Sequence, residues 1–110
     1  MLNKMNRIGN RNVIEKLFQK GKLYKDELLV FKYEKVENAP SQFAIAVGKK
    51  IHKKAVQRNK LRRQIHEALR VNLPALKTSI IALVIARPPC QKTTFLELNK
   101  SINTFFNTSS

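Results

Sequence analysis

The sequence lacks the features of a disulfide-bonded, low-complexity or membrane-spanning protein. Its 110 residues contain one cysteine, Cys90, which by itself cannot form an internal disulfide or a metal cage. Three glycines and four prolines are too few for a collagen-like or low-complexity chain. The longest unbroken apolar run, Ile80–Ala86, is far shorter than the ~20 residues that span a bilayer.

The amino-terminal residues, MLNKMNRIGNRN, show neither the apolar segment nor the cleavage site of a secretory signal. We therefore expect a cytoplasmic protein in a reducing environment, with no membrane partner. The chain length fits one domain over residues 1–110, in which the 43% of apolar residues can form a modest core.

Acidic side chains are scarce, which limits the chemistry that the chain can perform. Seven Asp and Glu stand against 22 Lys and Arg, a formal net charge of +15. The carboxylates form no D-x-D pair for Mg²⁺ or acid–base work, and Gly-rich phosphate-binding motifs are absent. His66-Glu67 lacks the H-E-x-x-H zinc pattern, so we interpret it as a partly exposed polar pair. We predict no catalytic site and no metal held by the protein alone.

Basic residues concentrate in one segment, residues 49–70. Nine Lys and Arg against Glu67 give it a net charge of +8, more than half of the total excess. Such a density repels itself unless polyanions or counterions screen it. A surface that served only solubility would mix both signs of charge. We interpret the segment as a nucleic-acid contact surface, with membrane phospholipid as a distant second.

Apolar side chains recur at helical spacing in three places, so we expect helices at residues 10–21, at 55–71 and from about 93 onward. Asn10 or Asn12 can cap the first helix, and Thr93 or Thr94 the last one. Gly21 is expected to end the first helix by adopting the left-handed conformation.

Short β-branched and apolar runs predict the strands, at residues 28–33, 43–47 and 79–86, with a weak further signal at 23–24. The tail, residues 107–110, is expected to fray. Because apolar strands flank the basic helix, we predict a parallel βαβ unit. The fold class is α/β, in a two-layer α+β form: helix, two to three strands, basic helix, strand, helix.

The basic helix separates apolar from charged side chains. Its core-facing stripe consists of Leu61, Ile65, Ala68 and Leu69. Beside it runs a row at four-residue spacing, Arg58, Arg62, His66 and Arg70. Guanidinium groups bind phosphate with two parallel hydrogen bonds, and helix N-termini also favour phosphate. The predicted RNA-binding residues are Lys49, Lys50, Lys53, Lys54, Arg58, Asn59, Arg62, Arg63, His66 and Arg70.

Aromatic rings can stack on the bases of single-stranded nucleic acid. Phe18, Phe31 and Tyr33 are the candidates for this role. Burial in the core explains the presence of Phe18 equally well. For Phe31 and Tyr33, which alternate along a predicted strand, core burial is the better explanation.

Residues 58–67, RNKLRRQIHE, resemble the signature helix of the protein component of bacterial ribonuclease P. The signature, of the type RNxx(K/R)RxxRE, follows a strand that ends in a Lys-Lys loop. This chain supplies the signature residues Arg58, Asn59, Arg62, Arg63 and Glu67. The similarity extends to the order of elements over nearly the whole chain.

Two positions depart from the family pattern. His66 replaces an arginine of the signature, which would make the contact there weaker or dependent on pH. Ile14 stands where the family often has an aromatic residue.

The resemblance implies a left-handed βαβ crossover and a division of labour between RNA and protein. A catalytic RNA cleaves precursor tRNA with Mg²⁺ bound mainly by that RNA, and the protein acts as an accessory subunit of this endoribonuclease. The protein binds the catalytic RNA and receives the 5′ leader in a cleft between the first helix and the sheet. No obligate protein partner is implied. The leader-cleft residues would be Ile14, Phe18, Val30 and Lys32.

Two other functions remain open from the residues alone. One is a non-enzymatic RNA-binding module, such as a ribosomal or assembly protein. The other is a DNA-binding factor that inserts the basic helix into a major groove. The second is disfavoured because residues 43–47 are predicted as a strand, which leaves no helix-turn-helix.

Overall fold

The computed structural model describes residues 2–109, with the side chains of residues 2–108. It contains helices α1 (Arg11–Lys20), α2 (Ala55–Asn72) and α3 (Phe95–Ser109), and strands β1 (Lys22–Lys25), β2 (Leu29–Lys35), β3 (Gln42–Ala46) and β4 (Ile80–Ala86). Short 3₁₀ turns lie at Lys4–Asn6, Leu73–Ala75 and Pro88–Lys92. The predicted order of elements is confirmed, and the weak strand signal at residues 23–24 corresponds to β1.

The four strands form one mixed sheet in the order β1-β2-β4-β3. The pairs β1–β2 and β2–β4 are antiparallel, whereas β3 and β4 run parallel. Because α2 connects the two parallel strands, the predicted parallel βαβ unit is confirmed. The handedness of this crossover stays a prediction.

One face of the sheet carries the main core, beneath α2 and α3. The predicted stripe of α2 is fully buried there, together with side chains of α3 such as Leu98 and Ile102. Aromatic rings join α3 to the sheet: Phe31 and Phe105 stack with ring centroids 3.9 Å apart. Burial of apolar area on this scale is the main force that holds the two layers together.

The other face of the sheet is partly covered by α1, which contacts β2 and β4. Leu17 of α1 and Leu83 of β4 are buried and lie outside the main core. Because neighbouring residues of a strand point to opposite faces, Leu83 faces away from Ala82 and Val84. Lys32 is paired with Leu83 in register, so it lies on this second face as well.

The amino-terminal segment, residues 2–8, runs beside β3 at one edge of the sheet. The Ile8 amide donates to the Phe43 carbonyl at 3.0 Å, and Asn6 Nδ2 donates to the Ser41 carbonyl at 2.8 Å. Leu2 is buried in the main core. The segment therefore belongs to the folded structure, and it covers the edge of β3.

Side-chain hydrogen bonds show which of the two predicted capping residues begins each of α1 and α3. Asn10 caps α1, because its Oδ1 accepts from the Asn12 amide at 2.8 Å. Thr94 begins α3 with a capping box: the Glu97 amide donates to Thr94 Oγ1, and the Glu97 carboxylate accepts from the Thr94 amide. None of the described helices is long and apolar enough to cross a membrane.

The predicted fraying of residues 107–110 is wrong for the described part of the tail. The helix α3 continues to residue 109, and residue 110 lies outside the described residues. The buried ring of Phe105 anchors this end of the helix, and Asn107 Nδ2 donates to Asn103 Oδ1 at 3.0 Å. Tertiary packing thus extends a segment whose local sequence is polar.

Gly21 ends α1 as predicted, but not in the left-handed conformation. Its φ of −68° and ψ of 155° are extended values that any residue can adopt. Glycine is needed here because a Cβ would lie 2.6 Å from the Leu17 carbonyl oxygen and 3.2 Å from the Tyr33 amide nitrogen. The close approach of the helix end to β2 leaves no space for a side chain.

Gly21→Ala should therefore lower the free energy of unfolding by about 1–3 kcal/mol, because the added methyl group must displace backbone atoms. Urea denaturation followed by circular dichroism measures this change. Gly9→Ala is the matched control, since no heavy atom lies within 4 Å of a Cβ at Gly9. Its effect should stay within about 1 kcal/mol of zero. Equal losses in both variants would contradict the crowding explanation.

Candidate RNA-binding site

The loop between β3 and α2 presents all four of its lysines to solvent. Val47 and Ile51 are buried and attach the loop to the core. The Ile51 amide donates to the Gly48 carbonyl at 3.1 Å, which closes a turn between them. This places exposed ammonium groups on both sides of an anchored turn, at Lys49, Lys50, Lys53 and Lys54.

Arg58 is half-buried and bonded to this loop. Its Nη1 donates to the carbonyl oxygens of His52 at 3.1 Å and Lys53 at 2.8 Å. Hydrogen bonds from a charged donor are among the stronger ones in proteins. The predicted RNA contact by Arg58 stays a prediction. The role that the structure shows is to hold the loop against the start of α2.

Asn59, Arg62 and Arg63 form what we call the arginine flank of α2. Arg62 Nη1 donates to Asn59 Oδ1 at 2.9 Å, which aligns the two side chains. Arg63 is exposed and has no hydrogen-bond or ion-pair partner among the described residues. With His66, the three residues line a concavity of about 360 Å³. The flank thus offers guanidinium donors that no carboxylate of the described residues occupies.

His66 is 8% exposed, in contrast to the partly exposed side chain that the sequence predicts. Its Nδ1 is buried without a hydrogen-bond partner among the residues that the structure describes. Burial lowers the pKa of the imidazole below 6.5, and the charges of Arg7 and Arg62 lower it further. Arg7 belongs to the amino-terminal segment, which therefore lies close enough for its charge to act on the ring. The ring is therefore neutral at pH 7 and adds no positive charge to the surface.

Arg70 is engaged by Glu67 one turn earlier in α2. The guanidinium makes a bidentate ion pair with the carboxylate, in which Nε lies 3.1 Å from each carboxylate oxygen. The hydrogen bond from Arg70 lowers the pKa of Glu67 to about 2. A phosphate would have to compete with this carboxylate, so Arg70 is less available to RNA than Arg63 is. Its predicted contact stays a prediction.

The predicted leader-cleft residues come together on the second face of the sheet. Phe18 is 60% exposed, although it is a large apolar side chain. Lys32 Nζ lies 5.9 Å from the centroid of its ring, at the outer limit of a cation–π contact. Ile14 and Val30 are half-buried beside them. An exposed aromatic ring beside an ammonium group is suited to an RNA base and its phosphate.

The other two aromatic candidates lie on the main-core side of the sheet. Phe31 is fully buried, and Tyr33 lies against Phe105 with ring centroids 5.1 Å apart. Phe18 is therefore the one of the three candidates that offers a free ring.

A protein-family model described as Ribonuclease P matches residues 2–109 of this chain. The chain belongs to the ribonuclease P protein family. As a member, it serves as the protein component of ribonuclease P in tRNA processing. This membership favours the ribonuclease P protein over the other functions left open by the sequence, which were a ribosomal or assembly protein and a DNA-binding factor.

Individual relatives and solved structures agree with this family. The chain is 38% identical over 108 residues to the ribonuclease P protein component of Rippkaea orientalis, covering 90% of this chain and 85% of the relative. It is 30% identical over 109 residues to that of Bacillus cereus strain AH187, covering 98% and 94%. The RNase P protein structure from Staphylococcus aureus has a TM-score of 0.81 at 25% identity and covers 97% of each chain. The Thermotoga maritima protein, at 24% identity and a TM-score of 0.82 over 93% and 96%, shows the same fold.

One exposed residue beside the predicted leader cleft was missed in the sequence because its position depends on strand register. Leu23 of β1 is 57% exposed and pairs with Lys32. It therefore extends the surface of the predicted leader cleft towards the edge of the sheet. Alternation of Leu23 with Tyr24, which packs against the core, was the available signal, but a four-residue strand makes that signal weak.

The described part of this ribonuclease P protein contains no cluster of side chains that could ligate a metal ion. Within residues 2–109, no three His, Cys, Asp or Glu side chains lie close enough together to hold an ion. The assignment of Mg²⁺ mainly to the RNA stays a prediction.

Arg58→Ala should loosen the loop as well as weaken RNA binding. We expect the Ile51 amide to exchange with solvent about 5- to 10-fold faster, because loss of the Arg58 bonds frees two loop carbonyls. Hydrogen exchange followed by NMR measures this rate in the free protein. Arg63→Ala, which also removes one guanidinium, should leave exchange at Ile51 unchanged. The same exchange rate in both variants would show that Arg58 does not hold the loop.

His66→Gln should remove part of the pH dependence of stability. The folded protein keeps His66 neutral while the unfolded chain binds a proton below about pH 6.5. The free energy of unfolding should therefore be highest above pH 6.5 and fall as the pH drops from there. Urea denaturation between pH 5 and 8 should show a smaller fall for His66→Gln than for the wild type. Parallel curves for wild type and His66→Gln would refute this explanation.

Proposed function

We propose that this protein binds the catalytic RNA of ribonuclease P with its basic surface and the 5′ leader of precursor tRNA with its leader cleft. In this way it assists the endonucleolytic removal of the leader that gives the mature tRNA 5′ end. The RNA subunit performs the hydrolysis with Mg²⁺, and the protein acts as an accessory subunit in the cytoplasm. It needs neither a membrane nor an obligate protein partner.

The observation that carries this proposal is the separation of two RNA-compatible surfaces on opposite faces of one sheet. The arginine flank and the loop lysines belong to the α2 side, whereas Phe18 and Lys32 belong to the α1 side. Two RNA segments can therefore be held at once without competing for the same cations.

The basic surface suits a folded RNA backbone. The loop lysines supply mobile point charges, and the arginine flank supplies fixed, planar donors. No acidic residue occurs between Ala55 and His66, so nothing on this stretch of α2 competes with phosphate. Most of the binding free energy should come from the release of counterions, which makes it depend strongly on salt.

The leader cleft suits a single strand of variable sequence. Every base has a π-face, so stacking on the exposed ring of Phe18 does not select one base. Lys32 lies beside this ring and can neutralise a leader phosphate. These properties fit a subunit that must accept the leaders of many different precursor tRNAs.

Reconstitution tests the proposal directly. A bacterial ribonuclease P RNA is assayed on a precursor tRNA at low Mg²⁺, with and without the full-length protein. We expect the protein to increase leader cleavage, because its cations replace part of the Mg²⁺ that the RNA–RNA complex otherwise needs. Cleavage that is no faster than with RNA alone would overturn the proposal.

Substitutions on the two faces should separate the two binding roles. Phe18→Ala should weaken binding of precursor tRNA to the holoenzyme by roughly 5- to 100-fold, the cost of one lost base stack. It should leave the affinity for mature tRNA and for the catalytic RNA unchanged. Arg62→Ala should weaken binding of the catalytic RNA instead. Filter binding measures all three affinities. If both variants are folded and each loses affinity for precursor tRNA and for the catalytic RNA alike, the two surfaces do not have separate roles.

A further inference from the structure

A second polar groove follows the flank of α2 opposite the arginine flank. We call it the glutamine groove and define it by His52, Gln57, Lys60, Gln64 and Gln91. Gln57, Lys60 and Gln64 lie three and four residues apart, so they share one side of the helix. The opposite wall is the 3₁₀ turn Pro88–Lys92, which carries Gln91.

The groove is continuous with the lysine loop. Its inner part has a volume of about 210 Å³, and a neighbouring concavity of about 340 Å³ is lined by the four loop lysines. His52, Gln57 and Gln91 line both of them. The inner part is smaller than the roughly 300–1,000 Å³ of sites for drug-sized ligands, which suits a group of the size of one base.

The side chains in the glutamine groove have unused hydrogen-bonding capacity. Among the described residues, no hydrogen bond engages the side-chain amides of Gln57, Gln64 and Gln91. None of the described residues that line the groove is acidic. A primary amide carries both donors and an acceptor, and it can pair with the edge of a base through two bonds.

The far wall of the groove is held in place. Two prolines begin the 3₁₀ turn, and Cys90 Sγ donates to the Leu28 carbonyl at 3.0 Å. Burial raises the pKa of this thiol to about 11, so it stays protonated and unreactive at pH 7. A rigid wall lowers the entropy cost of ordering Gln91 around a ligand.

We propose that the glutamine groove binds one unpaired RNA nucleotide, with the base between Gln57, Gln64 and Gln91 and its phosphates on the adjoining loop lysines. Sequence-specific contacts to RNA are usually made with such unstacked bases. The groove would thereby add a base-reading contact to a surface that otherwise recognises only the RNA backbone. The proposal rests on the RNA-binding function proposed above. The nucleotide can come from the catalytic RNA or from precursor tRNA.

The test uses the full-length protein reconstituted with a bacterial ribonuclease P RNA and a precursor tRNA. Chemical footprinting of the bases and 2′-hydroxyls is compared between wild type and the double variant Gln57→Ala/Gln91→Ala. Gln19→Ala, an exposed amide outside the groove, is the matched control. Gln57, Gln91 and Gln19 are all exposed, so their replacement should not disturb the core. Circular dichroism checks that each variant is folded.

We expect the double variant to lose protection at one or two adjacent unpaired nucleotides and to bind RNA roughly 5- to 50-fold more weakly. The salt dependence of binding should not change, because an amide neutralises no phosphate. The RNA in which protection is lost identifies the source of the nucleotide. Wild-type affinity and footprint in the double variant would overturn the groove assignment alone. Absence of RNA binding by the wild-type protein would overturn the proposed function as well.

Discussion

Burial of the apolar stripe of α2 against the sheet is the interaction on which the functional surfaces depend. With Leu61, Ile65 and Leu69 fixed in the core, the helix cannot rotate about its axis. The arginine flank and the glutamine groove then necessarily lie on its two sides. The same packing brings the start of α2 to the lysine loop, where Arg58 connects them. A nonspecific hydrophobic force thus determines the position of specific polar groups.

Much of the architecture follows from local sequence patterns. Alternating or continuous apolar runs identify the strands, and three- and four-residue spacing identifies the helices and the buried stripe of α2. The parallel βαβ unit follows from their order, since strands that flank an amphipathic helix are usually joined by it. The exposure of the four loop lysines could be predicted too, because an ammonium group is rarely buried without a partner.

The remaining features depend on contacts between distant segments. Residues four apart on a helix are offset by about 40° around the axis, so the row from Arg58 to Arg70 does not stay on one face. Arg58 begins near the core and turns to the loop, whereas Arg70 reaches Glu67 at the far end. The charge of Arg7, in the amino-terminal segment, acts on His66, and no local pattern shows the position of that segment. Gly21 is constrained by Tyr33, twelve residues later.

The two edges of the sheet are protected in different ways. Residues 2–8 cover β3 at one edge, but within residues 2–109 no strand lies on the outer side of β1. An uncovered strand can pair with the same strand of another copy, which leads to aggregation. Here β1 is only four residues long and has an exposed lysine at each end, Lys22 and Lys25. Antiparallel pairing of two such strands would bring like charges together, so part of the excess positive charge also keeps copies of the protein apart.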